Sequence, residues 1–125
     1  MARSMAPTTD HRAARGRLGE EAALRAYERR GFALLARNWR CELGELDLVV
    51  QRRGLVVVCE VKARSGASFG GGYEAVTWSK RRKLRNLAEA FIDRNGLRWA
   101  DVRFDVASVW LGPRGADVEL YQDAF

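Results

Sequence analysis

Two stretches of the chain place their apolar residues at the three- and four-residue spacing of an amphipathic helix. The first predicted helix runs from Arg17 to Arg30 and ends at Gly31, because glycine readily closes a helix. The second begins at a Thr77 or Ser79 cap and ends near Asn95-Gly96. The apolar faces consist of Ala23, Leu24 and Tyr27 in the first helix and Leu84, Leu87, Ala88, Phe91 and Ile92 in the second.

Five other segments have the length and the apolar content of strands, and the second and third of them are also rich in β-branched Val. In Asp101–Leu111, apolar and polar residues alternate, as is typical of a half-buried strand. The element order α-β-β-β-α-β-β predicts the α/β or α+β class, with a mixed sheet and two helices. The strands are expected at residues 32–40, Leu46–Gln51, Leu55–Val61, Asp101–Leu111 and Val118–Tyr121.

The N-terminal segment has few apolar residues and no periodicity. We therefore expect a flexible tail over residues 1–14 and a single domain over residues 15–125. The only histidine, His11, lies in this tail, which argues against histidine-based catalysis in the domain. The glycine-rich segment Ser65–Gly72 is a predicted loop, and a plain connection and a loop that closes over a substrate are equally consistent with it.

Three charged residues, Asp47, Glu60 and Lys62, interrupt the apolar pattern of the second and third strands. Buried charge is costly unless it is paired or binds a metal. If Arg53-Gly54 forms a two-residue turn, Asp47 lies directly opposite Glu60, with Cβ atoms roughly 5 Å apart. A three-residue loop would instead turn Asp47 to the other face. In the first case the two carboxylates repel and need a cation, either an ammonium group or a divalent metal with oxygen ligands.

Further charged residues lie close to the predicted core. Glu20 precedes the apolar face of the first helix by one turn, and Lys80 precedes that of the second, so both point to the core edge. For Glu20, stabilisation of the helix dipole is an alternative interpretation. We expect Arg103 and Asp105 to form a same-face pair that supports the sheet. Glu45 shares the strand face of Asp47 and is an additional acidic candidate.

The net charge of +6 and the pI of about 10.0 favour a polyanionic partner, with nucleic acid first, over a solvated surface of no function. The second helix begins with Lys80, Arg81, Arg82 and Lys83, followed by Arg85. Cations at this end oppose the helix dipole, so their placement favours phosphate binding over stability alone.

The composition and the lengths of the apolar segments also indicate the cellular location of the protein. A hydrophobic content of 47% is that of a globular protein. No apolar run approaches the ~20 residues of a membrane span, and the N-terminus lacks the apolar segment of a signal peptide. Cys41 and Cys59 have no metal-binding spacing, and Cys59 reads as a small buried residue. We therefore expect a cytoplasmic protein that does not contact membranes.

An acidic residue on a first helix, an Asp on the second strand and Glu-x-Lys on the third resemble the PD-(D/E)XK nuclease superfamily. Leu46 replaces the Pro that names this superfamily. The chain resembles more closely the uncharacterised bacterial YraN family, which is related to archaeal Holliday junction resolvases. The stretches that carry this resemblance are Gly19-Glu20, Asn38-Trp39-Arg40, Gly44–Leu48, Cys59–Arg64, Phe69-Gly70, Lys80, Arg103–Val106 and Ala124-Phe125.

The resemblance implies a restriction-endonuclease-like core and a site for Mg²⁺ or Mn²⁺. Asp47, Glu60 and the Val61 carbonyl would ligate the metal, Glu20 would support a ligand water or a second ion, and Lys62 would orient the attacking water. Resolvase relatives also suggest a homodimer, because a four-way junction needs two symmetric cuts. We expect DNA as the partner, and the residues expected to bind it are Arg40, Arg64, Lys80, Arg81, Arg82, Lys83 and Arg85.

Three functional hypotheses follow. The first is a metal-dependent endonuclease that hydrolyses phosphodiester bonds in DNA, with branched or recombination intermediates as candidate substrates. The second is a non-catalytic nucleic-acid-binding module of the same fold. The third is a structural or partner-binding protein, which would show no salt-sensitive DNA binding.

Overall fold

The computed structural model describes residues 8–65 and 76–125, with side chains from Ala13 onward. Two helices and five strands occur in the predicted order, and the strand boundaries lie within a few residues of those expected from the sequence. The elements are α1 (Thr8–Glu28), β1 (Ala33–Cys41), β2 (Gly44–Arg52), β3 (Leu55–Ser65), α2 (Trp78–Arg94), β4 (Asp101–Gly112) and β5 (Gly115–Tyr121).

The strands form a single five-stranded sheet in the order β1-β2-β3-β4-β5. Only β3 and β4 run parallel, because the chain crosses over through α2 between them, whereas the other neighbours are antiparallel. The sheet is therefore mixed and the protein belongs to the α+β class, which confirms the predicted architecture.

Each face of the sheet is covered by one helix, as the apolar helix faces predict. Ala23, Leu24 and Tyr27 of α1 pack in one cluster with residues such as Leu48 and Val57. On the opposite face, the apolar residues of α2 pack against a second cluster that includes Leu46, Val58 and Val106. Neither α1 nor α2 is long and apolar enough to span a membrane.

The turn between β2 and β3 has the two-residue length on which the opposition of Asp47 and Glu60 depends. Arg53 and Gly54 both have positive φ angles, 48° and 82°, as a type I′ turn requires. Arg52 pairs with Leu55, and the register continues to Leu48 and Cys59. The prediction of an even loop length is therefore confirmed.

Helix α1 begins at Thr8, and the predicted start at Arg17 is wrong. Residues 8–14 are helical although they have no apolar periodicity, and their Ala and Arg residues have high intrinsic helix propensity. The helix ends as predicted, with Gly31 at a φ of 88°. Residues 1–7 of the predicted tail and residues 66–72 of the predicted glycine-rich loop lie outside the described residues.

A buried charge network ties β4 to α1 and to the C-terminal segment. The Asp105 side chain is completely buried and accepts two hydrogen bonds from the Arg103 guanidinium, each 2.9 Å long. The Tyr27 hydroxyl donates to Oδ2 of Asp105 at 2.7 Å, and the Asp123 backbone N–H donates to Oδ1 at 3.0 Å. The predicted pair of Arg103 and Asp105 is confirmed as part of a larger structural network.

Candidate functional site

The candidate site lies where β2 and β3 separate. Regular pairing of the two strands ends at Leu48 and Cys59, one residue short of Asp47 and Glu60. Beyond this point the Val61 N–H donates to Oδ2 of Asp47, with 2.9 Å between nitrogen and oxygen. The Asp47 carboxylate therefore fills the gap between the strands and is held by the backbone of β3.

Glu60 lies on the α2 side of this gap. Its side chain is buried, and Oε2 lies 2.8 Å from Nζ of Lys80, whose side chain is about half exposed. Lys80 thus points to the core edge as predicted, and it supplies the cation beside the carboxylates. Lys62 follows Glu60 by two residues and is half-buried, but no hydrogen bond or ion pair involving it occurs within residues 13–65 and 76–125.

Glu20 approaches from the α1 side. Its side chain is buried, as predicted from its position on the helix, and Oε1 accepts a hydrogen bond of 3.0 Å from Nδ2 of Asn38. The guanidinium Nε of Arg37 lies 3.7 Å from the same oxygen, while its Nη1 donates to Glu21 at 2.8 Å. An amide and a guanidinium on β1 therefore fix the Glu20 carboxylate.

The backbone conformation of Asn38 explains how side chains of β1 contact the helices on both faces of the sheet. Asn38 has a φ of 54°, a left-handed conformation that asparagine tolerates better than most residues. Arg37 on one side of it contacts α1, whereas the ring of Trp39 on the other side lies 5.2 Å from that of Phe91 in α2. Residues two apart normally share a strand face, so the sequence pattern alone did not identify the roles of Asn38 and Arg37.

An open cleft of about 480 Å³ lies on the α1 side of the gap. Glu20 and Asp47 both contribute to its wall, so the structure brings these two predicted residues to one surface. Glu45 joins them as the sequence suggested, and its carboxylate lies 3.5 Å from Nε of Arg40. The lining residues are Ala13, Gly16, Arg17, Glu20, Asn38, Arg40, Glu45 and Asp47.

The electrostatics of the site centre on Asp47. Burial, followed by the negative charge of Glu60, raises the pKa of the Asp47 carboxyl from 3.8 to about 7. The Val61 N–H and the charge of Lys80 act in the opposite direction, while Glu20 adds to the rise. The hydrogen bond to Glu60 raises the pKa of the Lys80 ammonium above its usual value of 10.5. The pocket therefore disfavours a second uncompensated negative charge.

Whether a cation can bind at this site depends on which side chains can donate oxygen, nitrogen or sulfur ligands to it. In the described part of the chain, no three His, Cys, Asp or Glu side chains group closely enough to enclose a metal ion. Mg²⁺ differs from structural metals in this respect, because one or two carboxylates, waters and substrate phosphates commonly complete its coordination. Asp47 in the wall of the cleft, and Glu60, whose charge raises the pKa of Asp47, offer hard carboxylate oxygens that fit this mode of binding.

The basic residues of α2 that follow Lys80 are not equally exposed. Arg81 is half-buried and its Nε donates to the Val76 carbonyl at 3.0 Å. Arg82 and Lys83 are exposed, and Arg85 lies over the Phe104 ring at 4.9 Å. The first turn of α2 contains no acidic residue. Of the two basic candidates outside α2, Arg40 is exposed and Arg64 is half-buried.

Comparison with known proteins tests the resemblance to the YraN family. The uncharacterised protein family UPF0102 matches residues 19–109, which is most of the chain. The chain belongs to this family. The match includes Glu20, Asp47, Glu60, Lys62 and Lys80, and it confirms the resemblance to the YraN family.

UPF0102 relatives align along nearly their whole length. A protein from Mycolicibacterium gilvum is 46% identical over 114 residues, covering 90% of this chain and 92% of the relative. A protein from Moorella thermoacetica is 42% identical over 113 residues, covering 89% and 94%. Each is named a UPF0102 protein, a name that states the family and no activity.

Proposed function

We propose that this UPF0102 protein is a metal-dependent endonuclease that hydrolyses phosphodiester bonds in DNA. The observation that carries the proposal is the closeness of Glu60 and Glu20 to Asp47, whose pKa both carboxylates raise, together with the ion pair from Lys80 of α2 to Glu60. A fold that exists only to be stable gains nothing from carboxylates that repel each other in a half-buried gap. The resemblance to PD-(D/E)XK nucleases supports the same reaction class.

Asp47 and Glu60 would hold the metal, and the Val61 carbonyl remains a predicted third ligand. Bound Mg²⁺ or Mn²⁺ would supply Lewis-acid stabilisation of the phosphate and an activated water. Glu20, fixed by Asn38, would accept a hydrogen bond from a water in the cleft. Lys62, adjacent on β3, would orient the nucleophile or stabilise charge on the phosphate.

Lys80 has a double role in this proposal. Its ion pair with Glu60 neutralises one carboxylate of the apo protein. A phosphate would compete with Glu60 for the same ammonium group, since both are anionic oxygen acceptors. DNA binding would thereby release the Glu60 carboxylate next to the scissile bond.

The same ion pair favours a second candidate, a non-catalytic nucleic-acid-binding module. If Lys80 satisfies Glu60 permanently, Asp47 alone is a weak metal site, and the basic helix would still bind phosphate. The two candidates differ in one measurable property, which is a metal site that depends on Asp47.

A cleavage panel combined with Mn²⁺ calorimetry tests the proposal. Purified protein is incubated with duplex, single-stranded, flapped and four-way-junction DNA in Mg²⁺ or Mn²⁺. We expect cleavage of at least one substrate, reduced about 100-fold or more in Asp47→Ala and in Lys62→Ala. Asp101→Ala, which removes an exposed carboxylate from β4, is the matched control. The endonuclease proposal fails if wild-type protein binds no Mn²⁺ in the presence of DNA, or if Asp47→Ala binds Mn²⁺ equally well. The non-catalytic binding module is then the remaining candidate.

The exposed cations of α2 give a separate prediction. Combining Arg82→Ala, Lys83→Ala and Arg85→Ala should weaken binding to all DNA sequences alike, since these side chains would contact phosphates. The slope of log K against log salt should flatten by about 0.9 per lost phosphate contact. Arg81 is retained because of its hydrogen bond to Val76.

A control with the same net charge removes Arg94, Arg98 and Arg114, which lie away from the first turns of α2. Thermal unfolding should stay cooperative in both triple variants, because Leu84, Leu87 and Phe91 hold the buried face of α2. Equal loss of DNA affinity in the two variants would mean that net charge acts, and that this face of α2 is not the binding surface.

A further inference from the structure

Trp78, the first residue of α2, is one of the most exposed large apolar side chains among the described residues. Its relative exposure is 69%, although burying a tryptophan normally contributes to stability. The Arg82 guanidinium lies one helical turn later, 5.1 Å from the centre of the indole ring. A cation–π contact of this kind orients the ring without covering the rest of it.

A small cavity adjoins this pair. It has a volume of about 270 Å³ and combines one apolar side chain, two uncharged polar groups and two cations. Leu43, which contributes the apolar wall, is itself 45% exposed. The lining residues are Leu43, Ser79, Arg82, Lys83 and Asn86.

The chemistry of this surface matches that of a nucleotide. An indole ring offers a stacking platform for a base, and Leu43 offers a second apolar contact. The Asn86 amide both donates and accepts hydrogen bonds, as a base edge requires. Lys83 and Arg82 supply positive charge for the connecting phosphates.

We propose that Trp78, together with this cavity, binds unpaired nucleotides, so that the substrates of the protein are nucleic acids with a single-stranded portion. In a duplex, neighbouring base pairs cover both faces of each base, so an exposed indole gains little from it. A single strand, a flap or an opened junction presents free base faces. The cations and the lack of acidic residues in the first turn of α2 favour this occupant over an apolar protein partner.

The surface formed by Trp78 and the adjoining cavity lies at the same end of α2 as Lys80, which contacts the candidate site. Lys80 lies two residues after Trp78 in α2, and it forms the ion pair with Glu60. A strand that stacks on Trp78 therefore lies at the same end of α2 as the ammonium group that pairs with Glu60. In this respect the inference rests on the proposed endonuclease function and narrows its substrate class.

Fluorescence anisotropy with the 125-residue chain tests the inference. The probes are a short fluorescein-labelled single strand of mixed sequence, its duplex, and the same duplex with a flap. Trp78→Ala should weaken binding of the single strand and the flap about 5- to 150-fold, while duplex affinity changes less than about twofold. Trp78→Phe, which keeps an aromatic face, should retain most of the affinity.

Trp99→Ala is the matched control, since Trp99 is 65% exposed but follows α2 and lies near the β2–β3 turn. The salt slope should be the same for Trp78→Ala and wild type, because no phosphate contact is removed.

The outcomes separate the two proposals. If wild-type protein binds the single strand and Trp78→Ala binds it equally well, the stacking inference is overturned while the proposed function is untouched. Equal weakening for duplex and single strand would also overturn it, because Trp78 would then only support the shape of α2. If wild-type protein binds none of the probes in low salt, the nucleic-acid function itself is contradicted.

Discussion

Asp105→Asn should destabilise the protein by about 3–5 kcal/mol, which is the typical cost of breaking a buried charge network. Four donor groups from three parts of the chain surround the fully buried carboxylate. Asparagine has one acceptor oxygen, and its NH₂ group would face a donor. Arg103, whose side chain is only 19% exposed, would also lose its counter-charge.

Urea denaturation and thermal unfolding measure this loss, with a decrease in Tm of roughly 10–20 °C for a chain of this size. Asp101→Asn, an exposed substitution at the start of the same strand, should change stability by less than about 0.5 kcal/mol. A small effect of Asp105→Asn would mean that the network is dispensable and that the apolar clusters alone hold β4 in place.

Asp47→Asn should have the opposite effect on the metal-free protein. The pKa of Asp47 is about 7 in the folded protein and 3.8 in the unfolded chain. A raised folded-state pKa contributes stability at low pH, and this contribution is lost as the pH rises from about 4 to 7. Across this pH window, the free energy of unfolding of wild-type protein should therefore fall by about 2–4 kcal/mol relative to that of Asp47→Asn.

The Asn variant should thus be more stable than wild type at pH 8 in EDTA. Asparagine can still accept the hydrogen bond from the Val61 N–H, so the substitution isolates the effect of charge. Thermal melts from acid to mildly alkaline pH measure the difference, with Asp101→Asn as control. Adding Mg²⁺ or Mn²⁺ should stabilise wild type and leave Asp47→Asn unchanged. A large loss of stability for Asp47→Asn in EDTA would identify the Asp47 cluster as a structural network.

Some structural features could be predicted from the sequence, and others could not. The apolar periodicity of α2 was sufficient to identify Leu84, Leu87 and Phe91 as buried, because a helix has one period and one core-facing side. The Arg53-Gly54 turn set the β2–β3 register by its length, and counting along it placed Asp47 near Glu60, although regular pairing ends one residue before them. The start of α1 could not be found this way, because residues 8–14 have no apolar periodicity in the sequence.

The sequence by itself determined the element order, the buried face of each helix and the proximity of the two central carboxylates. These features depend on local periodicity and on short-range register, which residue spacing records directly. Tertiary structure decided which cation serves Glu60, since Lys80 reaches it from a helix on the other side of a crossover. It also decided the role of Asn38, because a left-handed residue reverses the strand alternation on which face assignments depend. Contacts between elements distant in the chain leave no periodic signal in a single sequence, so only the folded arrangement reveals them.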